Sequence, residues 1–598
     1  MTLRTLPLLL AAATLGAAPT LGAAPRPDAN ARLDRFMDGY WQYTLRTQPE
    51  MATYLGDPRY NGRLSDVSRA AALKDYAAQA RFLKQLGAFK DAELDADHRL
   101  DKELLAWQLR LVLEGERFKP WELPLNQMNG PQVNFPQLIS VQPAKTVKDF
   151  QDYLARLRAF PKVMDDTLAN LRAGVKDGIT LPKVITEDVI AQVKAMVKDG
   201  AIRGPLLDPL AKLPESLPAA DQARIKAEAA KAVDTGILPA YGRLLAYLET
   251  DYLAASKPAP GEWALPDGAA RYAYDAKAMT TTDLTPTQIH EIGLKEVARI
   301  EAEMTAIAKA QGYPDLAALR AAAVKDPRFH PKDGAELVAR YQSYLDGMKA
   351  KLPEYFGILP KAPLVVMATE PYREKDAPAA EYQAPAPDGS RPGRFYVDTY
   401  HASERSMLSC ESTSYHEGLP GHHMQIAIAQ ELKGLPEFRK EGGNSAFAEG
   451  WALYCEGLGK EMGFYKDPLS DYGRLSDEML RAVRLVVDTG VHELHWSRQQ
   501  VVDYFHAHTT NDEVEIQSET DRYIAWPGQA LAYKIGQLTI LRLREKAKAE
   551  LGAKFDIRAF HDLVLGAGNL PMAILERRVD DWIVAVKKAH REDAKGTK

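Results

Sequence analysis

The sequence predicts a mainly helical protein with a small β element, and three observations support this. Apolar residues recur at three- and four-residue spacing through most of the chain, as in Ile289, Ile292, Val297 and Ile300. Strand-like material is confined to one short aromatic and β-branched stretch, Gly393-Arg394-Phe395-Tyr396-Val397-Asp398-Thr399-Tyr400. Stretches rich in proline and glycine at 116–145, 256–268 and 375–394 separate the helical segments as loops.

The chain begins with Arg4, an apolar run from Leu6 to Leu15, and small residues around Leu21-Gly22-Ala23-Ala24. This pattern predicts a signal peptide over 1–24. The run is shorter than the ~20 apolar residues of a membrane span. No cysteine lies near the expected cleavage site. The expectation is therefore a soluble exported protein, in the periplasm, with no stable membrane insertion. Helices are predicted over 30–45, 66–88, 96–115, 146–174, 184–199, 218–250, 335–351, 412–433, 445–459, 475–508, 530–550 and 571–591. Another opens at Leu284-Thr285-Pro286-Thr287-Gln288, where a capping residue precedes proline. Eight of the thirteen histidines fall between His401 and His508. The chemistry is accordingly placed in a region from 281 to 598, with residues 25–280 as a helical cleft wall or lid.

Composition narrows the function classes. Of 598 residues, 46% are hydrophobic and 26% charged, enough for a large core. The net charge of −5 comes without a basic stripe, which argues against nucleic-acid binding. Two cysteines, Cys410 and Cys455, make no disulfide framework. Neither a Gly-x-Ser-x-Gly elbow nor a phosphate-cradling Gly-Lys-Ser/Thr loop occurs.

The central motif is Tyr415-His416-Glu417-Gly418-Leu419-Pro420-Gly421-His422-His423. Zinc sites on a regular helix place two histidines one turn apart, with a glutamate after the first. Here the second histidine is six residues on, about 240° around a straight helix, while His423 returns to the same face but ~10.5 Å along the axis. Neither fits an unbroken helix. Pro420 clashes with the carbonyl of His416, and Gly418 and Gly421 allow unusual dihedrals, so the helix should bulge and bring His422 toward His416. His423 stays open as the alternative. Downstream, Glu449 stands in the apolar run Ala446-Phe447-Ala448-Glu449-Gly450-Trp451-Ala452. Two histidines and this glutamate would hold one zinc and leave a fourth position for water. The alternative for Glu449 is a solvated acid in the first turn of a helix capped by Ser445. Glu456 is a fallback ligand or a group behind one.

His416-Glu417-Gly418-Leu419-Pro420-Gly421-His422 followed by Glu449-Gly450-Trp451-Ala452 resembles a bacterial family long catalogued as a domain of unknown function, number 885, and grouped with gluzincin metallopeptidases. Arg484-Leu485-Val486-Val487-Asp488-Thr489-Gly490-Val491-His492 and Pro527-Gly528-Gln529-Ala530-Leu531-Ala532-Tyr533-Lys534-Ile535-Gly536 are similar to it as well. The resemblance implies a large helical gluzincin-like fold with a deep cleft. It also implies an exported zinc metallopeptidase that cuts short peptides through a zinc-activated water. In such folds the ligand helices run roughly antiparallel. Cys410 and Cys455, six residues before His416 and six after Glu449, would then fall on one side of the metal, as a bridge or as two buried thiols.

In this reading Glu417 is the general base, and His492 and Tyr533 are the candidate oxyanion donors. His492 could instead be a core histidine bonded to Asp488, and Tyr533 a packed aromatic. Arg522 and Lys534 are candidates for holding a peptide carboxylate, with surface charge as the alternative. The strand around Tyr396 is a candidate partner for an extended peptide. The competing classes are a zinc hydrolase acting on another amide or ester and a non-catalytic metal- or peptide-binding protein.

Overall fold

The computed structural model describes residues 28–596, apart from 212, 371–373, 375–377, 387, 388 and 390. The predicted signal peptide lies outside the described residues. Helix makes up 72% of the chain, about twice the ordinary share. One hydrophobic core runs from Leu33 near the start of the described residues to Ile583 near their end, so N-terminal helices and the helices of the site share it.

Ten helices carry the argument. They are α1 (Val147–Asp177), α2 (Gly268–Thr280), α3 (Pro286–Ala310), α4 (Gly334–Tyr355), α5 (Cys410–Thr413), α6 (His422–Glu431), α7 (Ser445–Glu461), α8 (Pro468–His492), α9 (Glu513–Ala525) and α10 (Leu531–Leu551). Their starts follow from local chemistry. Thr146 and Asp149 form a capping box at α1, as Thr285 and Gln288 do at α3. Asn444 rather than Ser445 caps α7, accepting from the Phe447 N–H. Asp467 caps α8, whose first residue is Pro468.

Glycines set how closely the central helices approach. Gly293 of α3 faces Leu485 and Val486 of α8, where a Cβ would stand 2.8 Å from both side chains. Gly450 of α7 and Gly536 of α10 meet backbone to backbone. A Cβ on Gly536 would lie 1.9 Å from the Ala446 carbonyl oxygen, and one on Gly450 would lie 2.5 Å from Gly536 Cα.

The sheet has the order β1-β3-β2, with β1 (Leu364–Ala368) parallel and β2 (Ala380–Gln383) antiparallel to β3 (Gly393–Val397). The predicted strand is therefore the centre of the sheet. Both of its edges are paired, which corrects the expectation that it offers an edge to an extended peptide. Tyr396 is buried within it, its hydroxyl accepting from Arg394 Nη1 at 3.1 Å.

Helix boundaries also differ from expectation, and the stretch 116–145, expected as loop, contains a helix at Pro131–Val141. The helix expected over 475–508 is two: α8 stops at His492, His495 takes a left-handed φ of 61°, and Ser497 caps a new helix, Arg498–His508. The acidic stretch opening at Asp512 forms α9.

Replacing Gly536 by alanine should cost about 1–3 kcal/mol or more, because the obstacle is the backbone of α7 and not a movable side chain. Urea unfolding measures this, and an unchanged midpoint would contradict the Gly450–Gly536 contact.

Candidate metal centre

The centre is built where the chain doubles back. After α5 the backbone makes one π turn, Ser414–Gly418, then a turn through a cis Leu419–Pro420 peptide, and α6 starts at His422. At Gly421 a Cβ would lie 1.9 Å from the His416 carbonyl oxygen and 2.3 Å from that of Tyr415. Only glycine fits there. Trp451 of α7, fully buried, donates its indole N–H to the Pro420 carbonyl at 2.9 Å and fixes the loop against the helix that carries Glu449.

The fold-back sets the His416 and His422 rings 4.8 Å apart at 87°. Nε2 of each lies 3.5 Å from the same Glu449 oxygen, Oε2. Donors at ~2.0–2.1 Å from a tetrahedral zinc stand about 3.3–3.4 Å from one another, so both distances to Glu449 fit such an ion. Glu417 belongs to the same group, in which one donor atom each of His416, Glu417 and His422 lie within 4.8 Å of one another. Behind His416, its Nδ1 meets Glu456 Oε1 at 2.7 Å. A carboxylate in that place fixes the ring and leaves Nε2 toward the centre.

Electrostatics agree with a cation site. Burial alone would lower the basicity of His416. Hydrogen bonds to Glu449 and Glu456, with the charges of Glu456 and Glu417, reverse this and raise its pKa to about 10. Burial would raise the Glu449 carboxyl, but His422 and His416 hold it well below the usual carboxylate range. Three carboxylates around two imidazoles draw in a proton, and a divalent cation would satisfy the same charge deficit.

His423 points elsewhere. Its Nε2–H donates to the Ala362 carbonyl at 3.1 Å, and Nδ1 accepts from the Tyr382 hydroxyl at 3.0 Å. Burial lowers its pKa to about 4. Gly393 opens β3 beside this ring, where a Cβ would come 2.6 Å from Nδ1. Of the two adjacent histidines, His422 alone joins the cluster. Tyr382 and Ala362 were not expected from sequence, since they come from other elements and carry no motif.

Other expected site residues have different occupations. His492 is buried, with Nδ1 accepting from the Glu262 N–H at 3.1 Å and Nε2 donating to the Tyr523 carbonyl at 3.0 Å. Both nitrogens are committed, so an oxyanion role finds no free donor. Asp488 does not orient it; that carboxyl accepts from the Tyr272 hydroxyl at 2.6 Å and the Gly528 N–H at 3.1 Å. Lys534 is fully buried and bound by Glu478 at 2.6 Å and Glu296 at 3.0 Å, which removes it as a substrate anchor. Arg522 and Tyr533 do meet, with Nη2 at 3.5 Å from the phenol oxygen, and the Arg484 guanidinium lies 4.6 Å from the Tyr533 ring centre. Tyr533 sits one turn before Gly536 and so near the α7 contact. Cys410 and Cys455 are buried free thiols.

Fold and centre together define a mainly helical protein with a His2Glu cluster on neighbouring helices, its His416 buried and its His422 and Glu449 half-buried. The chain belongs to the family described as bacterial protein of unknown function (DUF885), whose pattern covers residues 49–579. It is similar to a candidate lipoprotein from Colwellia psychrerythraea, with 31% identity and a TM-score of 0.87 over 93% of this chain and 100% of that one. A candidate lipoprotein of unknown function from Shewanella oneidensis shares the fold, with 20% identity and a TM-score of 0.72 over 91% and 99% of the two chains. No curated protein matches. Among the described residues no helix is long and apolar enough to cross a membrane.

Beside His492, burial raises Asp488 from its ordinary 3.8 to about 7. A carboxyl raised on folding stabilises the fold fully below its unfolded pKa, and that stability is lost as pH climbs through the folded value. The loss is about 4 kcal/mol for one such group. Asp488→Asn should therefore flatten the fall in stability between about pH 4 and about pH 7. Urea unfolding across that range checks it, and an equally steep fall in the variant would contradict it.

Proposed function

We propose that this protein is an exported zinc-dependent hydrolase that cuts peptide bonds in short peptides. His416, His422 and Glu449 would hold one zinc ion per chain. The observation that carries the proposal is the single Glu449 oxygen 3.5 Å from both imidazole Nε2 atoms, with Glu417 in the same cluster. Zinc held there supplies Lewis acidity that makes water nucleophilic near neutral pH.

The chain's own groups then have distinct tasks. Glu417, half-buried beside the centre, takes the proton of the attacking water and returns it to the departing amine. The water oxygen bonds to the carbonyl carbon, the C–N bond breaks, and a carboxylate and an amine leave. Glu456 holds the His416 ring through Nδ1. Tyr533, one turn before Gly536 on α10, is the remaining candidate donor to the oxyanion; Arg522 beside it is already held by Glu519 at 3.0 Å and by Gln529 at 2.6 Å, which removes it as a substrate anchor as for Lys534. Export rests on the signal-like start of the chain and on the two relatives described as candidate lipoproteins.

Purified protein should contain one zinc per chain by metal analysis and should digest a mixed peptide library until a chelator is added. Glu417→Gln should keep the zinc and lose about 10²–10⁴ of the rate, the usual worth of a general base; hydrolysis at near the normal rate would rule the mechanism out. His422→Ala should lose the zinc while His423→Ala keeps it. The reverse pattern would move the ligand to His423.

A further inference from the structure

A concavity of about 920 Å³ lies between the residues that lead into α4 and the loop joining α7 to α8. None of His416, Glu417, His422 and Glu449 lines it. Its volume falls in the range of small-molecule sites, roughly 300–1,000 Å³. Aromatic rings form the walls: Phe329, Tyr344, Phe464 and Tyr465. Tyr465 is buried, and its hydroxyl has no hydrogen-bond partner. The residue also holds a left-handed φ of 56°, pinned by its N–H donating to Glu411 Oε1 at 2.9 Å.

The charges around this cavity are unequal in availability. Its carboxylates are occupied within the protein. Glu411 also accepts from the Tyr415 hydroxyl at 3.0 Å and from the Ser470 hydroxyl at 2.5 Å. Asp467 accepts from Arg328 and from the Leu469 N–H, and Glu336 from the Lys332 N–H. Lys332 and Lys466, both exposed on the rim, have ammonium groups outside any ion pair among the described residues. What remains is a cavity walled by aromatic rings with two uncommitted cations at its mouth.

We propose that this cavity binds a small organic anion with an aromatic or apolar body, its ring against Phe464 and Tyr465 and its charge toward Lys332 and Lys466. An aromatic body gains from the ring walls, and an anionic group gains from cations that desolvate only in part. The proposal does not depend on the hydrolase reading, since the lining shares no residue with the metal centre.

Titration of the full protein with 1-anilinonaphthalene-8-sulfonate, followed by calorimetry and fluorescence, tests it. The expected result is one site per chain, weakened about tenfold by Lys466→Glu, as for loss of one partly exposed charge contact and gain of a repulsive one. Phe464→Ala should weaken it as well. Lys548→Glu, on α10 away from the cavity, should leave the affinity unchanged. Lys466 is exposed, so its variant is expected to fold normally. Equal affinity in the wild type and Lys466→Glu, or binding at many weak sites, would overturn the proposal.

Discussion

The arrangement depends on one close approach, that of Gly421 to the carbonyl oxygens of His416 and Tyr415. Six residues along a straight helix would set the two imidazoles on nearly opposite faces. The chain instead ends one helix in a π turn, folds back on itself where any side chain would collide with backbone, and starts another helix at His422. The Trp451 indole ties the apex of that loop to α7. The loop that turns the chain and the helix that supplies Glu449 are therefore joined by a hydrogen bond inside the core.

The rest of the molecule supports α7 at that position. Gly450, directly after Glu449, lies against Gly536 of α10 with no room for a side chain on either. Lys534, two residues earlier on α10, is locked into buried carboxylates of α3 and α8. The last two family-like motifs thus serve mainly to seat helices: His492 and Asp488 bind loop and helix segments of the N-terminal half, and Lys534 binds α3 and α8.

What was legible in the sequence was mostly local. Thr285-Pro286 and Thr146 through Asp149 announce helix starts because capping uses residues within one turn. Glu449 stood out as an acid in an apolar helix, and the approach of His422 to His416 followed from the need to fold back at Pro420 and Gly421. Choosing between His422 and His423 was not legible, because Tyr382 and Ala362, which capture His423, come from about 40 and 60 residues away. The same holds for β3, whose central position depends on β1 arriving in parallel from an earlier segment. His492 and Lys534 were misplaced for this reason too: their partners at Glu262 and Glu296 lie some 230 residues away.

The central claim is that one divalent cation sits between His416 Nε2, His422 Nε2 and Glu449. Anomalous diffraction at the zinc edge, from crystals of the zinc-loaded protein, tests it most directly. The account predicts a single strong peak about 2.0–2.1 Å from both Nε2 atoms and at bonding distance from a Glu449 oxygen. A peak bound through His423, or none at this cluster in zinc-loaded crystals, would contradict it.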